Sequence, residues 1–321
     1  MGQPSYWRML MKEKFHAYGT RFRKDMKKYW MAYLLVLPVI AYFLIFKYKP
    51  LYGLIIAFKN FRPGKGVWGS PWAGSFGFQH FIDFFRSYYF VRLLKNTSTI
   101  SLSTLIFSFP APIILALLLN ELKSDKFKRV VQTISYLPHF VSLVVICALV
   151  REFVSADGLI TNLMNLMGYP ERSLLSDPKL FVPVYVISGI WTSCGWGAII
   201  YLAALSGIDT ELYDAAKIDG AGRWKQTLHV TLPGISGTII IMFLLRIGSI
   251  MNVGYEKIIL LYNSGIYETA DVISTYVYRS GLENKQYSYS SAVGLFDNVV
   301  NFIIILIFNK ISKKVTEVGL W

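Results

Sequence analysis

The chain has 321 residues, 54% of them hydrophobic and 16% aromatic, with a mean hydropathy of +0.43. So apolar a composition excludes an ordinary soluble domain and points to a membrane protein, its Tyr and Trp suited to the bilayer interfaces. The net charge of +14, from 33 basic and 19 acidic residues, reads as the Lys/Arg bias of cytoplasmic loops and not as a nucleic-acid face, because the basic residues flank apolar runs.

Residues 1–30 are polar and basic, carrying Arg8, Lys12, Lys14, Arg21, Arg23, Lys24, Lys27 and Lys28. No small-residue cleavage site follows the first apolar run, so that run is expected to remain as a membrane helix. A spanning helix needs roughly 20 mostly apolar residues, and six candidates follow. The first is Trp30 to Phe46, with Lys47 and Lys49 placed to snorkel at its end. Leu51 to Phe58 either extends it or lies in the interface. Phe58 to Arg92 mixes Gly64, Gly66, Gly69, Pro71 and Gly74 with aromatics, which suggests an ordered cap. The second span is Thr97 to Leu119 and the third Val130 to Val150. Between the third and fourth, Leu159 to Met167 is weakly amphipathic and reads as a short interfacial helix. The fourth span is Phe181 to Leu205, the fifth Gly234 to Asn252 and the sixth Ala292 to Phe308. Gly254 to Ser291, before the sixth, carries seven tyrosines, Tyr255 to Tyr289, an aromatic belt or else a docking platform.

Six spans place the N-terminal tail, the loop with Lys123, Lys126, Lys128 and Arg129, and the C-terminal Lys310, Lys313 and Lys314 on one side. The positive-inside rule makes that side cytoplasmic. The basic segment Lys47 to Arg92 then lies outside, against the trend. The expected organisation is a cytoplasmic tail over 1–30, the first helix with its external segment over 31–92, a five-helix core over 93–310 and a cytoplasmic tail over 311–321. The core contains a polar cytoplasmic loop over 207–233.

That loop has its own chemistry. Asp209 or Thr210 can cap a helix, and Glu211 and Asp214 then lie in the first turn, where the helix dipole favours acids. Leu212, Tyr213, Ala215 and Ala216 follow, the alanines keeping one face low for close packing. Gly220 and Gly222, on either side of Ala221, permit a stop or sharp turn. Arg223, Trp224 and Leu228 suit a second short helix at the membrane surface, and Pro233 suits the start of the fifth span.

Acidic-Ala-Ala, three residues, Gly and a later Leu-Pro resembles the EAA loop of ATP-binding-cassette (ABC) importer permeases. In that family the loop is the coupling helix that docks into the ATPase. Asp214 stands where the motif usually has Glu, one methylene shorter, so Glu211 is expected to share the contact. Further segments, among them Gly69-Ser70-Pro71-Trp72, Asn120-Glu121-Leu122, Gln132 to Phe140, Ile273 to Arg279, Ala292 to Phe296 and Gly319-Leu320-Trp321, resemble the LplB-type oligosaccharide branch. The resemblance implies an all-α membrane protein with a type I (MetI-like) permease core, six transmembrane helices and cytoplasmic termini. It implies a multi-pass protein of a bacterial cytoplasmic membrane, without enzymatic activity. Its partners would be a second homologous permease, two ATPase subunits that carry ATP and Mg, and an external solute-binding protein that delivers an oligosaccharide.

Charges in a bilayer core are costly and usually face a partner or cavity. Arg246 and Asp297 lie at similar depth, roughly 10 Å in at ~1.5 Å per residue, and either pair with each other or line a pathway. Asn298 and Asn301 share helix six with Asp297. Trp191, Trp196 and Tyr201 in helix four either pack ordinarily or stack on sugar rings. Pro110, Pro112 and Pro183 are expected to kink helices two and four. Cys147 and Cys194 read as buried small residues, and His16, His80, His139 and His229 have no ligand spacing, so no metal, catalytic or cofactor site is expected. No Walker sequence is present. The rival functions are import of an amino acid, peptide or phosphate through the same architecture, an ion-coupled secondary transporter, and a membrane enzyme.

Overall fold

In the computed structural model, residues 25, 27–316 and 319 are described; the basic stretch 1–24 and most of the Gly-Leu-Trp terminus lie outside them. The described chain is helical, with only two isolated β-bridges, Lys59 to Trp72 and Arg62 to Gly66. Four helices are long and apolar enough to cross a membrane, and six spans result if each of two bent pairs counts as one.

Helix α1 runs from Trp30 to Phe58, so Leu51 to Phe58 extends the first span. None of its first part, Trp30–Phe43, is buried. A short helix α2 (Gln79–Arg86) precedes α3 (Tyr89–Ser108) and α4 (Pro110–Asn120), which form the second span. Pro110 opens α4, where a missing N–H costs least. Pro183 makes no kink: it is the third residue of α8 (Phe181–Ser206), inside the unpaired first turn.

The third span is broken, not continuous over Val130 to Val150. Helix α5 (Asp125–Tyr136) leads into a 3₁₀ turn, and α6 (Leu143–Phe153) departs at 105°. Pro138 lacks the N–H a continuing helix needs, Val141 is extended, and the Ser142 hydroxyl restarts the helix by accepting from the Val145 N–H at 3.4 Å. The short helix expected between the third and fourth spans is present as α7 (Leu159–Asn165). After the polar loop helix α9 (Thr210–Ile218), the fifth span is also bent. Helix α10 (Arg223–Gly234) meets α11 (Ser236–Ile247) at 62°, and Ile235 leaves the helical region there. Pro233 therefore closes α10, two residues before the bend, and is not an early residue of the fifth span. Helices α12 (Tyr255–Leu261) and α13 (Ile273–Tyr278) precede the long α14 (Tyr287–Thr316).

Helix α8 is the hub, packed against α3, α4 and α5. Its Gly195 permits this: a β-carbon there would come within 2.1 Å of the Ser135 carbonyl oxygen on α5. One core layer joins Ile113, Ala116, Ala198, Tyr201 and Ile235. A second joins Ile146, Phe181, Tyr185, Ile258 and Leu261, and a third Phe84, Leu93, Met251, Ile273 and Val293.

The bundle has two distinct ends. At one, Arg223 meets Glu121 at 3.6 Å, which brings the α4 terminus to α10 and the polar loop. At the other, the Phe61 N–H donates to the Ser288 hydroxyl at 2.8 Å, and the Asn96 amide donates to the Glu268 and Asp271 carbonyls at 2.8 and 2.9 Å. The Gly/aromatic segment is thus an ordered cap on α14. Its Lys59 is buried, donating to the Val67 and Trp68 carbonyls beneath the Trp68 and Trp72 rings. Fully buried Asp271 takes a two-pronged bond from Arg279 at 2.7 and 3.1 Å and accepts from the Thr275 hydroxyl. Burial alone would lower the Arg279 pKa, but the Asp271 carboxylate raises it overall. Lys59 and Arg279 are therefore structural charges, which explains part of the excess of basic residues at this end.

Candidate functional site

Two regions carry the chemistry. The first is the polar loop. Asp209 caps α9, its carboxylate accepting from the Glu211 N–H at 2.9 Å, so Asp209 and not Thr210 is the cap. Glu211 sits in the first turn. Asp214 pairs with Lys217 at 2.8 Å on the exposed surface. The helix ends in a Schellman motif: the Gly220 N–H donates to the Lys217 carbonyl and the Ala221 N–H to the Ala216 carbonyl, at 3.0 and 2.9 Å. Gly220 supplies the left-handed residue, at φ +72°.

No residue of α9 is buried. Leu212, Ala215 and Ile218 are exposed, and beyond the turn Trp224 is too; Ile218 and Trp224 are 87% and 74% accessible. One side chain ties the helix down: the Tyr213 hydroxyl lies 3.0 Å from that of Thr231 in α10. The loop is thus a rigid, capped helix on the bundle's end, with apolar side chains that the chain itself does not cover.

The second region is a cavity of about 430 Å³ between α3, α4, α8, α11 and α12. It brings together Trp196, Tyr201 and Arg246, with the hydroxyls of Thr104, Thr192 and Ser193. A smaller polar cavity of about 190 Å³, with Ser101 and Asn252, shares Thr104, Tyr185 and Arg246 with it. Trp196 stacks on His139 with centroids 4.7 Å apart and planes 4° from parallel.

The remaining pathway candidates stand elsewhere. Trp191 lines apolar hollows against α6 and α5. Arg246 and Asp297 make no ion pair among the described residues. Asp297 is partly buried with one carboxylate oxygen unpartnered. Asn298 donates to the Gly294 carbonyl, and Asn301 accepts from the Met251 N–H at 2.9 Å, a bond that fixes the end of the fifth span.

The cavity also holds Lys257, absent from the sequence-based candidates because its segment read as an external loop. Its ammonium donates to the Tyr185 carbonyl at 2.8 Å and lies 4.4 Å from the centre of that ring. Burial pushes its pKa down to about 8, against a weaker upward pull from Cys147. The available signal was a single lysine before the apolar run Ile258-Ile259-Leu260-Leu261.

Residues 108–317 match the family described as "Binding-protein-dependent transport system inner membrane component". The chain belongs to that family. It is 45% identical to Protein LplB of Bacillus subtilis over 94% of this chain and 95% of that protein. It is 43% identical to the polygalacturonan/rhamnogalacturonan transport system permease protein YteP of the same organism, over 90% of this chain and 89% of that protein. Among solved structures it resembles a chain of a bacterial alginate ABC transporter in complex with an alginate pentasaccharide-bound periplasmic protein. The TM-score is 0.84 and the identity 43%, covering 94% of this chain and 100% of that one. The permease is therefore a membrane component of a transport system, with the type I fold its loop motif implied.

Proposed function

We propose that this permease is one of a pair of related subunits in an ATP-driven importer, and that it passes an oligosaccharide handed over by an external binding protein. The observation that carries the reading is α9. A helix capped at both ends, stiff, and exposed along its apolar residues fits a cleft on a partner, and the EAA-type spacing makes that partner an ATPase. ATP and Mg would be held there, and closure of the ATPase pair would move α9. The Arg223–Glu121 contact and the Tyr213–Thr231 bond would carry the movement into α4 and α10.

Two further features support the assembly. The unburied first part of α1 suits packing against a second permease. The relative named for polygalacturonan/rhamnogalacturonan and the alginate-transporter structure favour a saccharide over an amino acid, peptide or phosphate. Both termini and α9 would then face the cytoplasm, and the 58–92 cap would face outward.

The test is recovery of the ATPase with the affinity-tagged permease. Ala215→Glu places a charge on the docking face and is expected to lower ATPase recovery by about tenfold or more, as loss of an interface anchor does. Membrane yield should be unchanged and uptake of the sugar lost. Undiminished recovery and uptake would refute the docking role of α9.

A further inference from the structure

We propose that Arg246 and Lys257 form an anion site in the translocation cavity, which recognises the carboxylate of a uronate-containing oligosaccharide. The proposal deepens the importer reading above and rests on it. Two cations share one cavity, and no Asp or Glu lines it. Arg246 has no ion pair among the described residues, and the hydrogen-bond partner of Lys257 is a neutral carbonyl. Cations withdrawn from water are stable only with a counter-charge or a water-filled space. This cavity supplies the space and lacks the counter-charge, so a passing anion is the ligand it favours.

The rest of the lining suits a sugar acid and not a bare anion. Trp196, half-exposed and stacked on His139 by one face, offers its other face, and Thr104, Thr192 and Ser193 offer hydroxyls. The volume of about 430 Å³ lies within the range of small-molecule sites, roughly 300–1,000 Å³. The ammonium's place is also built. The ammonium packs against Gly189, where a β-carbon would come 3.3 Å from Lys257 Nζ. Arg246 reaches in from α11 and Lys257 from α12, so a carboxylate between them would bridge the fifth span to the segment that follows it.

The experiment uses the assembled transporter in nanodiscs, without the binding protein, so that only the membrane site is read. The probes are a trigalacturonate and the same trisaccharide with its carboxyls reduced to alcohols. Trigalacturonate is expected to bind at least about tenfold more tightly, the scale of one charge-assisted contact. Arg246→Gln and Lys257→Gln should bring its affinity to that of the reduced sugar and leave the reduced sugar's affinity unchanged. Lys257→Arg should retain the preference. ATPase recovery, read in parallel, reports whether each variant is assembled. Equal binding of the two sugars, no binding of trigalacturonate, or variants that weaken both sugars alike would overturn the site. Inorganic phosphate binding as tightly as trigalacturonate would assign the cations to a free anion and overturn the uronate assignment. Failure of the importer reading is seen separately, as an unmutated permease that recovers no ATPase.

Discussion

At the scale of single residues, Gly220 and Lys257 carry the sharpest expectations. A glycine that ends a helix, as Gly220 does, can serve by its conformation or by a close approach that a β-carbon would block. The structure selects the conformation, since φ is +72° and a β-carbon would meet nothing within 4 Å. Gly220→Val forces a β-branched residue into the left-handed region, at a cost of roughly 1–2 kcal/mol. The α9 stop should unravel with the six spans intact, giving normal membrane yield and reduced ATPase recovery. Wild-type recovery by Gly220→Val would show that the Schellman turn is dispensable. Lys257 lies against Cys147 of α6 and Tyr185 of α8 and shares its cavity with Arg246 of α11, while Arg151 of α6 donates to the Leu260 carbonyl on the same helix as Lys257. Its folded-state pKa of about 8 lies below the ordinary 10.5. Between those values the unfolded chain binds more protons, so the lysine's contribution to stability rises with pH across that window. Uronate binding has the opposite slope, weakening as the ammonium deprotonates above about pH 8. Titration of trigalacturonate affinity from pH 7 to 9 checks this, and Lys257→Arg should flatten the profile. A flat profile in the unmutated permease would remove Lys257 from the site.

At the scale of elements, the spans were legible because long apolar runs dominate, whereas their breaks depend on local bonding. Pro138 and Ser142 together turn the third span through 105°, yet the apolar run from Val130 to Val150 passes through them without a polar gap long enough to mark the break. Lys257 was hidden for a related reason: its segment is too short to span, and only the fold brings it against Tyr185. The Arg246–Asp297 pair, suggested by matching depth, fails because depth does not specify which way a side chain faces. Since the two do not pair, Arg246→Ala and Asp297→Asn should show a coupling below about 0.5 kcal/mol in a double-mutant cycle of thermal melts. A larger coupling would restore the pair. The α5–α8 crossing makes a different demand. Gly195→Ala drives a β-carbon against backbone, 2.1 Å from the Ser135 oxygen, which neither helix can avoid by a side-chain rotation. Destabilisation of about 1–3 kcal/mol is expected, seen as a lower melting temperature of the purified permease. An unchanged melt would mean that the helices separate freely there.

At the scale of the whole molecule, the Lys and Arg content of the loops assigns sidedness, and the packing adds an independent constraint. Glu121 and Arg223 meet, so the loop after the second span and the α9 loop share one end. Phe61 and Ser288 meet, so the cap and the start of the sixth span share the other. The N-terminal, Lys126 and C-terminal positions are expected at the α9 end, in the cytoplasm. The cap, with Trp72 and the fully exposed Phe76, is expected outside. The basic cap weakens the charge count, but Lys59 is engaged inside the fold and is not free to act as a topological signal. Single cysteines at positions 76 and 126, in a chain whose Cys147 and Cys194 are changed to Ala, separate the two faces. An impermeant maleimide added to intact cells should label position 76 and spare position 126 until the membrane is opened. The reverse pattern would place α9 outside, where no ATP-driven partner could reach it, and would end the importer reading altogether.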